Sequence, residues 1–180
     1  IDNPNKVNNT YDFLIALCQK GFKNLNLKRG SEEHKKYTDR IYYELDILKE
    51  LGFVDYILLV WKVIHFCNTS DIPVGLGRGS AAGSFVLYLL GVTKIDSVKY
   101  DLFFERFVSK IRAKKKVVDG VTYLDGSLMC DIDMDVCYYK RKNVLKYLEQ
   151  EFKGKTSKIR TLNTLSGKLV MKECGKTVED

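Results

Sequence analysis

Met129-Cys-Asp-Ile-Asp-Met-Asp-Val136 alternates strictly between apolar and acidic residues. Read as an extended segment, it puts Asp131, Asp133 and Asp135 on one face and Cys130, Ile132, Met134 and Val136 on the other. Acidic side chains are disfavoured in strands, so three at alternate positions cost stability unless positive charge sits against them. A bound cation is the simplest resolution. At a rise of about 3.3 Å per residue, Asp131 and Asp133 start roughly 6.6 Å apart and can converge on one site. Asp135 starts about twice as far from Asp131 and needs a bulge or another role.

Oxygen ligands without converging His or Cys predict Mg²⁺ or Mn²⁺, two ions about 3.5–4 Å apart, and hence nucleotide chemistry. The bland alternative is a solvated acidic face. A calcium loop is excluded, because counting from Asp131 puts Val136 where that loop needs Gly and Lys142 where it needs Glu.

Cations surround these acids. Lys110, Arg112, Lys114, Lys115 and Lys116 precede them, and Lys140, Arg141, Lys142 and Lys146 follow. With a formal net charge of +7, the chain is expected to meet an anionic partner. Lys114, Lys115, Lys116, Lys140 and Arg141 are candidate DNA contacts, against the alternative of a solvated lysine surface.

Upstream, Val74-Gly-Leu-Gly-Arg-Gly-Ser-Ala-Ala-Gly-Ser84 separates a short Ile72–Leu76 strand from a helix over Ala81–Leu90. Small residues admit phosphate oxygens to the backbone, the helix start supplies N–H groups, Ser80 and Ser84 add hydroxyls, and Arg78 adds a forked cation. This predicts a phosphate cradle. It is not a Walker A loop, since no Gly-Lys-Ser/Thr follows at the required spacing. Gly77, Gly79 and Ala82 match a dinucleotide G-x-G-x-x-A pattern only weakly, because the acid that site expects about 20 residues on is replaced by an early Asp96.

Periodicity predicts helices over Tyr11–Lys20, stopping at Gly21, over Ser31–Glu50, stopping at Gly52, over Val54–Cys67, apolar nearly all round, over Tyr139–Phe152, and from about Leu165. Val117–Leu124 predicts a hairpin about Asp119-Gly120, and a further strand is expected near Ile159–Leu162. The sum is an α/β domain. Residues 1–70 form a helical lead-in, and residues 71–180 a core holding the glycine turn and the acidic segment.

No stretch reaches the roughly 18–20 apolar residues of a membrane span. The five cysteines contain no C-x-x-C and leave one odd residue, which argues against structural zinc and a disulfide framework and for a reducing, cytoplasmic setting. The sequence lacks an initial Met and reads as an excised fragment.

A glycine-serine turn followed by alternating carboxylates is the minimal apparatus of nucleotidyl transfer. Gly75–Ser84 and Cys130–Val136 resemble the P-G-R-G-S-A-A-G-S and P-D-x-D-x-D-F signatures of the C-family replicative DNA polymerases of bacteria and phages. Tyr43–Leu48, Gly52–Val60, Phe104–Phe107 and Ile159–Lys168 also resemble that family, so the likeness covers nearly the whole chain. It implies DNA-directed DNA polymerase activity and the palm of a polymerase-beta-like nucleotidyltransferase, a mixed sheet packed with helices.

By position, the resemblance implies that Asp131 and Asp133 bind two catalytic Mg²⁺ ions, while Asp135 is outside the metal-binding set. Gly79 and Ser80 would touch the deoxynucleoside triphosphate, with Arg78, Arg106 and Arg112 neutralising it. Implied partners are primer-template DNA, the remainder of the polymerase chain and a sliding clamp, with no membrane.

Cys130 and Leu76 replace prolines of the signatures, Lys62 stands where an acid is common, and Val117–Leu124 resembles an insertion. The family's third catalytic carboxylate falls beyond Asp180, as do its clamp-binding regions, so the fragment alone is expected to be inactive. The alternative is a non-catalytic nucleic-acid-binding or assembly module derived from such a polymerase.

Overall fold

The computed structural model describes residues 9–108, 115–118, 121–124, 130–158, 164 and 166–178. The chain divides into two compact units, residues 1–146 and 147–180.

The first unit is built on three helices whose ends follow from local chemistry. Helix α1 (Thr10–Lys23) starts where the Asn9 side chain accepts the Asp12 N–H. Helix α2 (Glu32–Glu50) starts at Ser31, whose hydroxyl accepts the His34 N–H at 3.1 Å. It ends in a Schellman turn: Gly52 takes φ +74°, and Phe53 N–H reaches the Leu48 carbonyl at 2.9 Å. Helix α3 (Val54–Thr69) buries Ile57, Leu58, Val60, Val63, Ile64 and Cys67, as its nearly uniform apolarity requires.

Helix α4 (Phe85–Leu89) follows a 3-10 turn at Gly79–Gly83, so the helix expected over Ala81–Leu90 is broken at Ser84. Helix α1 packs on α3 and α4, and α2 packs on α4. Phe13 meets Trp61 edge-on at 5.5 Å, and Tyr37 meets Phe85 at 5.2 Å.

Gly21 does not end α1. The helix runs on to Lys23, and a Cβ at residue 21 would lie 2.2 Å from the Leu89 carbonyl oxygen. The glycine is there because α4 approaches the α1 backbone. Gly21→Ala should therefore destabilise the chain by about 1–3 kcal/mol through overpacking, despite the roughly 1 kcal/mol that alanine gains in helix propensity. Urea denaturation checks this, and an unchanged or raised midpoint would contradict it.

The expected mixed-sheet palm is not what the chain forms. Among the described residues it is helical, and its one sheet is a two-stranded hairpin, β1 (Lys115–Val118) and β2 (Val121–Leu124). The hairpin pairs Lys115 with Leu124 and Val118 with Val121, the register expected for a two-residue turn. Residues 119–120 of that turn, and the strand expected at Ile159–Leu162, lie outside the described residues.

Residues 130–135 form no strand, and Val136 makes a single antiparallel bridge to Val74. That bridge is held by Gly75 N–H to the Asp135 carbonyl (2.9 Å) and Cys137 N–H to the Pro73 carbonyl (3.0 Å). Pro73 has no N–H to return, and the chain turns away through the glycines on the other side, so the ladder cannot lengthen.

Helix α5 (Arg141–Glu151) begins after a 3-10 turn at Tyr138–Lys140 and buries Val144, whereas Leu145 is exposed. In the second unit, helix α6 (Gly167–Val178) starts at Ser166, whose hydroxyl accepts the Leu169 N–H, and carries a Lys176–Glu173 pair at 2.8 Å. No described helix is long and apolar enough to cross a membrane.

None of the five cysteines is in a disulfide. Burial pushes the Cys18 thiol up to about 12 and the Cys130 thiol up to about 11. Because folding keeps these thiols neutral, their contribution to stability is complete below the unfolded thiol range and is lost as pH rises towards 12. At pH 8 a thiol-specific reagent should label the exposed Cys174, while buried Cys18, Cys67 and Cys130 label only on unfolding. Peptide mass mapping reads this, and early labelling of Cys18 would contradict it.

Candidate functional site

The glycine turn and the acidic segment meet in the first unit. Alternation along 130–136 survives without a sheet: Asp131, Asp133 and Asp135 are exposed, Ile132, Met134 and Val136 half-buried, and Cys130 buried. The apolar side chains therefore seat the segment and turn its carboxylates outward. Asp135 anchors it through its carbonyl to Gly75. Asp133 lies against the turn, its Oδ2 3.3 Å from where a Cβ on Gly79 would be.

Arg78 spans the two acids, with Nη2 3.5 Å from Asp133 Oδ1 and Nε 3.4 Å from Asp135 Oδ1. All three side chains are more than half exposed, so each pair contributes only about 0–1 kcal/mol and is readily exchanged. Asp131 instead lies near Tyr56 of α3 and Cys130. Tyr56 beside it has its hydroxyl pKa raised, first by burial and then by Cys130, opposed by a hydrogen bond with the Ile132 backbone, with Asp131 adding to the rise.

Gly77 makes the bend possible. Its φ is +97°, and a Cβ there would stand 2.9 Å from the Thr93 side chain. Beyond the bend a cleft of about 640 Å³ opens, lined by two segments of the chain: Gly79, Ser80, Ala82 and Gly83 from one, and Asp101, Leu102, Phe103 and Arg106 from the other. The structure thus brings Gly79, Ser80 and Arg106 to one cleft and sets Arg78 and Asp133 beside Gly79.

Arg112 and Lys114 lie outside the described residues. Lys115 and Lys116 are at consecutive positions of β1, paired in register with Leu124 and Tyr123. Lys140 is tied to Asp71, donating to its carbonyl and lying 3.8 Å from its carboxylate, and Arg141 is exposed at the start of α5.

One expected feature of the cradle is already taken. The Ser84 hydroxyl donates to Glu44 at 2.8 Å, and the Phe85 and Val86 N–H groups donate to the same carboxylate at 2.9 and 3.0 Å. The start of α4 is therefore filled by the protein's own anion, leaving an external anion the turn at residues 79–80. Burial pushes the Glu44 carboxyl up, opposed by the Val86 and Phe85 amides and by Arg40. Residue-by-residue reading missed Glu44. Its signal was an acid on the apolar face of α2, beside Leu45 and Leu48, with an arginine four residues before it.

The family model described as the bacterial DNA polymerase III alpha NTPase domain matches residues 12–179. The chain belongs to this family. Among members, it is 36% identical over 177 residues to the DNA polymerase III subunit alpha of Borreliella burgdorferi, covering 98% of this chain and 14% of that protein. The subunit alpha of Chlamydia trachomatis is 37% identical over 178 residues, covering 93% and 13%. That of Bacillus subtilis is 33% identical over 166 residues, covering 92% and 13%. The chain thus spans about a seventh of the length of these polymerase subunits. The match takes in both the glycine turn and the acidic segment.

Proposed function

We propose that this chain is the nucleotide-handling segment of a DNA-directed DNA polymerase, in which a primer 3′-hydroxyl attacks the α-phosphate of a deoxynucleoside triphosphate and pyrophosphate leaves. The observation that carries this reading is Asp133 lying against Gly79 beside a cleft lined by Ser80 and Arg106. Family membership supports it, since the relatives named above are polymerase subunits.

In this reading Ser80 and the backbone at Gly79 receive the triphosphate, and Arg106 on the facing wall neutralises it. Arg78, loosely paired with Asp133 and Asp135, exchanges a carboxylate for a phosphate oxygen at little cost. Asp131 and Asp133 fit Mg²⁺ in kind, being exposed carboxylates on the outward row, whereas the Cys130 thiol beside them is buried on the other side of the segment. Among the described residues no group of three or more His, Cys, Asp or Glu is placed to hold a metal ion, and Mg²⁺ commonly takes one or two carboxylates with waters and substrate phosphates as its other ligands. Such an ion, once bound, would lower the pKa of the attacking hydroxyl and offset charge on the leaving oxygens.

Primer-template DNA is the proposed macromolecular partner. Lys115, Lys116 and Arg141 supply phosphate contacts, Lys140 contributes less because Asp71 holds it, and a sliding clamp would act through the rest of the polymerase. The 180 residues by themselves are proposed to lack polymerase activity. In the complete polymerase, Ser80→Ala or Arg106→Ala should raise the KM for deoxynucleotide about ten- to a hundredfold, the value of one charge-assisted hydrogen bond. Steady-state primer extension measures this, and unchanged KM in both variants would remove the triphosphate assignment.

A further inference from the structure

Arg40 and Glu44 stand one turn apart on α2 and do not line the cleft. Glu44 is fully buried, and its carboxylate accepts four hydrogen bonds: from Arg40 Nε at 2.6 Å, from the Ser84 hydroxyl, and from the Phe85 and Val86 N–H groups. Arg40 Nη2 donates to two carbonyls, Gly83 and Leu102, each at 2.8 Å. Gly83 and Leu102 belong to the two segments, 79–83 and 101–106, that line the cleft and form its walls. The walls touch at their base, since a Cβ on Gly83 would come within 2.7 Å of the Phe103 carbonyl oxygen. One guanidinium, held in orientation by one buried carboxylate, therefore ties the Ser80 wall to the Arg106 wall.

We propose that Arg40 and Glu44 are positioning residues that set the width of the cleft for a polyphosphate chain. The proposal rests on reading the cleft as the triphosphate site, and it adds what selects the length of the anion. Glu44 occupies the amides at the start of α4, which would otherwise compete for the ligand, so the anion registers on residues 79–80. Arg40 fixes how far Arg106 stands from that register. A lysine at position 40 keeps the charge but cannot serve Glu44 and two diverging carbonyls with one planar fork, so one wall is released. A polyphosphate spanning both walls is sensitive to that release, whereas a single phosphate held on one wall is not.

The test is calorimetric titration of the 180-residue chain with inorganic tripolyphosphate and with orthophosphate, for wild type, Arg40→Lys, Glu44→Gln and Arg106→Ala, with circular dichroism on each. Arg40→Lys is expected to weaken tripolyphosphate about tenfold, the scale on which small displacements of positioning groups act, and to leave orthophosphate unchanged. Equal tripolyphosphate affinity in Arg40→Lys and wild type overturns the proposal, as does an equal loss for both anions. Arg106→Ala binding like wild type, or wild type not binding tripolyphosphate, overturns the triphosphate reading of the cleft and this proposal with it. Should both α2 variants unfold, hydrogen exchange on wild type decides. Tripolyphosphate should slow exchange at residues 83–86 and 102–106 together, and protection confined to 79–80 overturns the proposal.

Discussion

Asp133→Asn in the complete polymerase should reduce primer extension on the order of a thousandfold, the usual scale for removing one group that stabilises developing charge. The substitution keeps the size of the side chain and its packing at Gly79 while removing the charge that a divalent ion needs. Asp131→Asn should act similarly, since its carboxylate is exposed two residues away on the same outward row. Asp135→Asn is the control. What Asp135 does in the structure is offer its carbonyl to Gly75 and its carboxylate to Arg78, and asparagine keeps the first. A loss below about tenfold is expected there, on the scale of a surface pair.

Near-normal extension by Asp131→Asn and Asp133→Asn would sink the catalytic reading. The chain would then be better described as a nucleic-acid-binding module. In that case, charge reversal at Lys115 and Lys116 should flatten the salt dependence of DNA binding, with no effect of Mg²⁺ on nucleotide affinity.

Glu44→Ala should cost about 3–5 kcal/mol of stability, at the lower end because Arg40 keeps some contact with water. The loss comes from what is left behind. Arg40 loses its counter-charge, and the Ser84 hydroxyl with the Phe85 and Val86 N–H groups loses its acceptor in a fully buried place. For a chain of this size the melting temperature should fall by roughly 6–12 °C. Glu44→Gln, which keeps one acceptor oxygen, should cost less. Denaturant unfolding measures both, and a loss under about 1 kcal/mol for Glu44→Ala would mean that the buried carboxylate is not what holds α4.

The turn, the acids and the helices differ in how far they could be read from sequence. The starts at Asn9 and Ser31 and the stop at Gly52 were open to inspection or nearly so, because a cap is a contract between residues three or four apart. Gly21 has the same appearance as Gly52 in the sequence, yet one ends a helix and the other makes room for Leu89, 68 positions away. The outward row of Asp131, Asp133 and Asp135 was legible from alternation, but the sheet inferred from it was not formed. Alternation specifies which side chains face the core, while a ladder also needs N–H and C=O partners, and Pro73 withholds one.

The sequence by itself determined the family, the outward set of carboxylates, the glycine bend and the register of the β1–β2 hairpin, all of which are written in short-range spacing. Only the tertiary structure decided that Asp133 rests on Gly79, that Ser80 and Arg106 share a cleft, and that Glu44 fills the start of α4. Those outcomes depend on which backbone groups are left without partners once the helices pack. A buried amide or carboxylate must find a partner wherever the chain brings one, and spacing along the sequence does not encode that meeting.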